Sequence, residues 1–198
     1  MAHELRDRLV AMGSEQAQAF HDILHVYEGL ADRYGLWDAA NIMMEWCSDD
    51  GFIDFRAWLI AQGKEVYLSA LKDPDTLADI EPYGNCCFES LSYVGDDAYR
   101  QLTGQNAYEN ADPAARKKWK AILGADIVYR EDIRFPRPRR ALPAAYPRLC
   151  AKYGGAERFD TDDIGWNTGS KDVRSLLERG KEYDLEKKLS QKKGGEGR

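Results

Sequence analysis

The sequence contains no stretch approaching the roughly 18 apolar residues that a membrane-spanning helix needs, and its mean hydropathy of −0.62 belongs to a chain that folds in water. Cysteine is scarce. Cys47 and Cys150 stand alone and Cys86 and Cys87 are adjacent, so no CxxC pair exists for zinc and no disulfide framework is predicted. The four thiols read as reduced and mostly buried. A glycine-rich phosphate loop, a GxSxG elbow and a Ser, His, Asp arrangement are all missing, which removes the commonest nucleotide-binding and hydrolase signatures. The opening MAHELRDRLV has no apolar core of the signal-peptide kind, and the expected compartment is the cytoplasm. Strand-like alternation is confined to Ile127, Val128 and Tyr129, and no internal repeat is present, so β folds and solenoids are excluded.

What is present is a globular composition: 198 residues, 43% hydrophobic and 11% aromatic, enough for one sizeable core. The formal charge of −6 is unevenly placed. Residues 1–37 carry −3, 38–100 carry −9, 101–170 carry +3 and 171–198 carry +3. An acidic central block speaks against general nucleic-acid binding, while the later basic stretch suits pairing with that block or with an acidic partner.

Helical periodicity runs through most of the chain. Ala17, Phe20, Leu24, Tyr27, Ala31 and Tyr34 step by three and four, predicting an amphipathic helix from Ser14 as N-cap to Gly35 as stop. LWDAANIMMEWC, 36–47, is apolar on nearly every side and predicts a short central helix. Ser48, Asp49 and Asp50 offer capping oxygens to a third helix that Gly63 ends. Further helices are predicted over 64–71, briefly over 75–80, over 86–102, after Pro113 as far as Gly124, and from Pro143 to Tyr153 with an interruption at Pro147. The proline-rich 133–143 reads as an extended surface connection. The fold class is therefore all-α: a compact single-domain bundle of about six to eight short helices over 1–153. A Gly/Asp-rich loop over 154–170 and a charged helix over about 171–189 with a disordered tail form a loosely packed appendage.

The chemistry-bearing residues concentrate between Trp46 and Trp58, where Asp49, Asp50, Asp54 and Arg56 share thirteen residues with the two tryptophans. At about 100° per residue, Asp49 and Arg56 lie about 20° apart around the helix and can approach, while Asp50 and Asp54 are close like charges. If the tryptophans wall them off from water, one carboxyl is pushed upward and becomes an acid/base or cation-binding candidate. The same residues also suit plain capping and an internal ion pair. DDGFIDF does not make an EF-hand: with Gly51 at loop position six, Trp46 and Ala57 occupy positions one and twelve, where carboxylates are needed. His21, His25 and Glu28 share one strip of the first long helix. They form a weak metal-ligand set, since the position after His21 is Asp22 and a further ligand must come from elsewhere; as polar residues bordering an apolar face they need no metal. Cys86 and Cys87 have no basic neighbour to activate a thiol. Basic residues from Arg116 to Arg148 interleave with Trp119, Tyr129, Phe135 and Tyr146, a pattern seen in strand and phosphate binders, but acidic residues interrupt it and no nucleic-acid module is formed.

LWDAANIM, SDDGFIDFRAWLIAQGKEVY and ALKDPDTLADI together resemble a bacterial, especially actinobacterial, family: the domain of unknown function numbered 4240. Its L-W-x-A-A, S-D-D-x-F-x-x-F-R-x-W-L-I-x-Q-G and D-P-D-x-L-A elements fall on Leu36 to Ala40, Ser48 to Gly63 and Asp73 to Ala78, and a looser likeness covers 88–104 and 145–154. The resemblance implies a small helical bacterial protein, sometimes beside or fused to regulator-like modules, and supplies no reaction. Three expectations follow from the residues. The leading one is a cytoplasmic binding or accessory module whose acidic groove, formed by Trp46, Asp49, Asp50, Asp54, Arg56 and Trp58, takes a cationic or peptidic ligand without cofactor, metal, membrane or nucleic acid. The alternative is a metal-independent hydrolase, lyase or isomerase acting on a small molecule or modified peptide, with Asp50 or Asp54 as acid/base and Arg56 as anion holder. A third treats those residues as structural and gives a protein partner the basic face around Arg137, Arg139 and Arg140.

Overall fold

The computed structural model describes residues 1–82, 84–130, 135, 137–154, 156–161 and 178–182. Among them the regular structure is helical, with no strand, so the chain is all-α as its periodicity predicts. Helix α1 (Ala2–Met12) was not foreseen; it buries Leu9 and rests Leu5 and Val10 on the same side. Gly13, at φ 105, then turns the chain directly into α2 (Ser14–Leu30), so the N-cap is Gly13 and Ser14 is already helical. α2 stops at Leu30, short of the predicted Tyr34. Arg33 is extended, and Tyr34 and Gly35 open a new helix, α3 (Tyr34–Met43), that carries Leu36, Ala39, Ala40 and Ile42 into the core. Burial of that largely apolar helix overrides the continuous period through residue 34.

Local signals hold better from there. Ser48 Oγ accepts from the Gly51 amide at 3.0 Å and caps α4 (Asp49–Ala61), which is followed by α5 (Lys64–Lys72). Pro74–Asp79 is a 3-10 turn whose Asp75 amide donates to the Asp73 carboxylate. α6 (Glu89–Thr103) begins three residues later than its period suggests, because Gly84 and Cys86 take positive φ and make a turn there; Gly104 closes it in the left-handed conformation. α7 (Pro113–Gly124) is capped by Asp112 and has Gly124 as its last residue. α8 (Leu142–Ala145) and α9 (Pro147–Tyr153) flank the fully buried Tyr146.

Two corrections concern the second half. The 133–143 segment is not wholly extended or superficial where it is described: Arg139–Ala141 is a 3-10 turn and Leu142 is buried. Ile127 and Tyr129 form no strand; they pack against the core, and the Tyr129 hydroxyl donates to the Leu30 carbonyl at 3.0 Å. Beyond residue 153, Phe159 is buried in the main core and the Arg140 amide donates to the Thr161 carbonyl, so 156–161 are tied to the body. The predicted helix over 171–189 and the tail after it lie outside the described residues except for 178–182, which make a turn of helix.

The main apolar cluster joins α3, α4, α5, α8 and α9, with Trp37 stacked on Phe52 at 4.8 Å and Trp58, Phe55 and Tyr146 at its centre. A smaller one, Leu9, Ala17, Val94 and Ala98, joins α1, α2 and α6. Leu24, Ala57 and Leu91 bridge the two. α7 lies on α2 without burying a single residue of its own.

Candidate functional site

The structure separates the six residues grouped between Trp46 and Trp58. Trp46 sits in the loop before α4 and is 58% exposed, whereas Trp58 is 1% exposed at the centre of the core beside Phe55, and its indole Nε1 has no hydrogen-bond partner among the described residues. The two rings therefore do not wall one groove. An apolar helix surface nearly complete around its circumference, Phe52, Phe55, Ala57, Trp58 and Leu59, draws Trp58 inward, while Trp46 precedes the helix and escapes that packing.

Arg56 is not paired with Asp49. Its Nη1 donates to the Glu28 carbonyl at 3.0 Å and its Nε to the Phe52 carbonyl at 3.3 Å; its guanidinium lies 4.9 Å from the Phe52 ring and 3.9 Å from the exposed Asp32 carboxylate. Near in angle, the two are far apart along the axis: seven residues of helical rise separate them by about 10 Å. Arg56 thus clamps α4 to the end of α2, and Asp49 stays exposed in the first turn, where the helix dipole favours it.

Asp50 and Asp54 do share a face, and α6 adds a third carboxylate. The Phe88 amide donates to the Asp54 carbonyl at 3.1 Å, which brings Glu89, at the start of α6, to the half-buried Asp54 side chain. Partial burial, then Glu89, Asp50 and the more distant Glu28, hold the Asp54 carboxyl above the ordinary carboxylate range. The side chains of Asp50, Asp54 and Glu89 make no hydrogen bond or ion pair with any described residue. The nearby thiols are inert. Burial pushes Cys47 up to about 12 and Cys86 up to about 11, Cys87 is raised by burial and by Asp54 and Glu89, and all four cysteines are free.

A second polar assembly lies between α2 and α6, where sequence reasoning placed only border residues. His21, Asp22 and Glu28 are buried, together with Ser92 and Asp96 of α6. His25 Nδ1 donates to Glu28 at 2.7 Å and the Ser92 hydroxyl donates to the other Glu28 oxygen at 2.7 Å. Despite its burial, these bonds and the nearby Arg56 keep the Glu28 carboxyl below its usual range. Asp22 accepts from Arg116 Nε at 2.9 Å and from Gln18 Nε2 at 3.2 Å; Asp96 accepts from Arg100 and from the Ala107 amide at 2.8 Å. The His21 and His25 rings meet edge to face at 4.4 Å, and the Tyr108 ring packs on His21 at 4.3 Å. The signal that could have located this seam is Gly95, in mid-helix: a Cβ there would stand 2.8–2.9 Å from His21 Cβ, Cα and N. Among the described residues no three His, Cys, Asp or Glu are arranged to hold a metal ion, so His21, His25 and Glu28 are neighbours without being a chelate.

Elsewhere, the basic second half pairs with the acidic central block: Arg130 with Asp73 at 3.2 Å, Arg148 with Asp79 and Lys152 with Glu81 at 3.0 Å. Tyr146 donates to the fully buried Asp38, whose carboxyl burial pushes up to about 8. A cleft of about 370 Å³ opens between α2, α5 and the end of α7, lined by Tyr27, Tyr67, Leu68 and Ile122, with the Lys64–Asp126 pair at its rim.

These features define an all-α protein with an uncompensated acidic face and a buried polar seam. Residues 1–101, half of the chain, match the family described as protein of unknown function (DUF4240), and the chain belongs to it. The match takes in the three motifs at Leu36 to Ala78 and most of α6, and stops before 145–154. No curated protein and no solved structure matches.

Proposed function

We propose that the protein is a binding or accessory module whose acidic face, Asp50 and Asp54 of α4 with Glu89 of α6, receives an ammonium or guanidinium group of a small molecule or peptide. The observation that carries this reading is the state of Asp54: half-buried, raised by that burial and by the neighbouring carboxylates of Glu89 and Asp50, and without a cation among the described residues. A carboxylate cluster in that state gains most from an external positive charge, which relieves the mutual repulsion and lowers the Asp54 pKa at once. The absence of a chelating trio among the described residues favours an organic cation over a divalent metal. An acid/base enzyme at the same place would want an anion holder beside Asp54, and Arg56, committed to carbonyls of Glu28 and Phe52, is poorly free to act as one.

The test is titration with spermidine and with methylguanidinium, following the side-chain carboxyl carbons by NMR. Binding should shift Asp54 saturably and bring its pKa back toward the ordinary range. Asp54→Asn should weaken the interaction by about tenfold, as expected for a lost charged hydrogen bond, and Asp49→Asn should leave it nearly unchanged. Equal losses in both variants, or no saturable shift at Asp54, would overturn the proposal.

A further inference from the structure

The α2–α6 seam holds an unusual share of polar atoms with no protein partner. Gln18 Oε1, both ring nitrogens of His21, His25 Nε2 and Arg116 Nη2 are buried and make no hydrogen bond among the described residues; the two histidine rings meet each other and Tyr108, while Gln18 and Arg116 both bind Asp22, the residue next to His21. His21 is 0% exposed, so its orphaned nitrogens cannot turn to bulk water. A buried polar group left unpaired costs about 1–3 kcal/mol, and five in one place are hard to read as packing accidents.

Gln18 donates its amide N–H groups to Asp22 and to the Ala107 carbonyl, which leaves Oε1 as an acceptor. His25 donates Nδ1–H to Glu28, which leaves Nε2 as its remaining polar atom. Arg116 uses Nε on Asp22 and keeps Nη2 as a free donor. Burial holds the His21 ring neutral, lowered to about 4, so it offers one donor and one acceptor. The charges nearby are already closed: Asp22 faces Arg116, Asp96 faces Arg100, and Glu28 is stabilised by Arg56. A charged ligand would find no countercharge here. An uncharged group presenting an acceptor to Arg116 and a donor to Gln18, with the neutral His21 ring able to serve as donor and acceptor, would satisfy the seam.

We infer that the seam between α2, α6 and the 106–108 turn is a binding site for a neutral O=C–NH2 group, a primary carboxamide or ureido group, admitted where the Tyr108 ring covers the two histidines. Tyr108 is 43% exposed and is held by ring contacts rather than by core packing, so it can swing outward. The site is separate from the acidic face, and neither proposal depends on the other.

The experiment uses the full chain and acetamide as probe, with acetate as the charged isostere. The ring nitrogens of His21 and His25 are followed by NMR, and the exposed His3 of α1 serves as an internal control. Acetamide should shift His21 and His25 saturably and leave His3 in place, while acetate should not. Gln18→Met removes one acceptor from a half-buried position and should weaken the response by about tenfold; Tyr108→Ala should preserve or strengthen it. A response equal for acetamide and acetate, shifts that rise linearly without saturation, or no shift at all would each overturn the inference, the last meaning that water alone satisfies these atoms.

Discussion

Replacing Gly95 by alanine puts a methyl carbon 2.8 Å from His21 Cβ and 2.9 Å from its Cα and N, where carbon–carbon contacts settle near about 3.5–4.0 Å. Two of these three neighbours are backbone atoms, so no rotamer change clears the space, and α6 has to move off α2. Overpacking of this kind costs about 1–3 kcal/mol. The displacement also lengthens the 2.7 Å Ser92–Glu28 bond, a hydrogen bond to a charged group worth about 1.5–3 kcal/mol. Against this stands the better helix propensity of alanine, about 1 kcal/mol. The net expectation is a loss of about 2–3 kcal/mol, which in a chain of this size lowers Tm by about 5–10 °C. Urea unfolding followed by far-UV circular dichroism measures it. Gly29→Ala is the matched control: Gly29 is an exposed helical glycine with nothing within 4 Å of the new carbon, and it should gain up to about 1 kcal/mol. Because the obstruction is the His21 backbone, shortening that side chain to alanine should not rescue Gly95→Ala. If Gly95→Ala matches Gly29→Ala in sign, or if His21→Ala restores its stability, the close-approach argument is wrong.

Two further outcomes follow from the same seam. His21 is neutral when folded because burial lowers it from 6.5 to about 4, so the unfolded chain binds the extra proton: stability is fully present above pH 6.5 and falls as pH drops towards about 4. The loss by pH 5 is about 2 kcal/mol; urea unfolding across this range should show it, and His21→Phe should flatten the slope, an unchanged slope counting against the assignment. Arg116→Ala removes the ion pair of the buried Asp22, should cost about 3 kcal/mol, and should speed amide exchange in α7, which buries no residue of its own, well before α3 and α4 respond. Uniform exchange throughout the molecule would show that α7 is not held by this pair.

The elements legible from sequence are those set by nearby residues. Ser48 before α4 and Pro113 at the first turn of α7 act within four residues, and the chain obeys both. Misreadings arose where tertiary contact decides. The period from Ala17 to Tyr34 is continuous, yet the chain breaks at 31–33 so that α3 can enter the core. Trp46 and Trp58 look alike on paper; one lies in a loop and the other inside an apolar helix, and only packing separates 58% from 1% exposure. His21, Asp22 and Glu28 look like border residues because polarity argues for exposure, and it takes the paired groups of α6 and α7 to make their burial tolerable. Angle without rise misplaced Arg56 opposite Asp49.

The acidic block of 38–100 and the earlier acids divide into two kinds by what lies opposite them. Where α2 and α6 meet at Gly95, small residues bring the backbones so close that any carboxylate in the seam is dry, and each there has its own arginine or a set of hydrogen bonds. At the junction of α4 and α6, a few residues away, the carboxylates of Asp50, Asp54 and Glu89 remain partly wet and have no cation. Leaving them so costs stability through repulsion, and a lysine or arginine nearby would remove that cost; Arg56, close in sequence, is turned to α2 instead. Asp50, Asp54 and Glu89 fall within the residues matched to the family, whereas Arg116 and Tyr108, which complete the seam, lie beyond them. The acidic face therefore lies wholly in the segment matched to the family, and the closure of the seam is added by the residues that follow it.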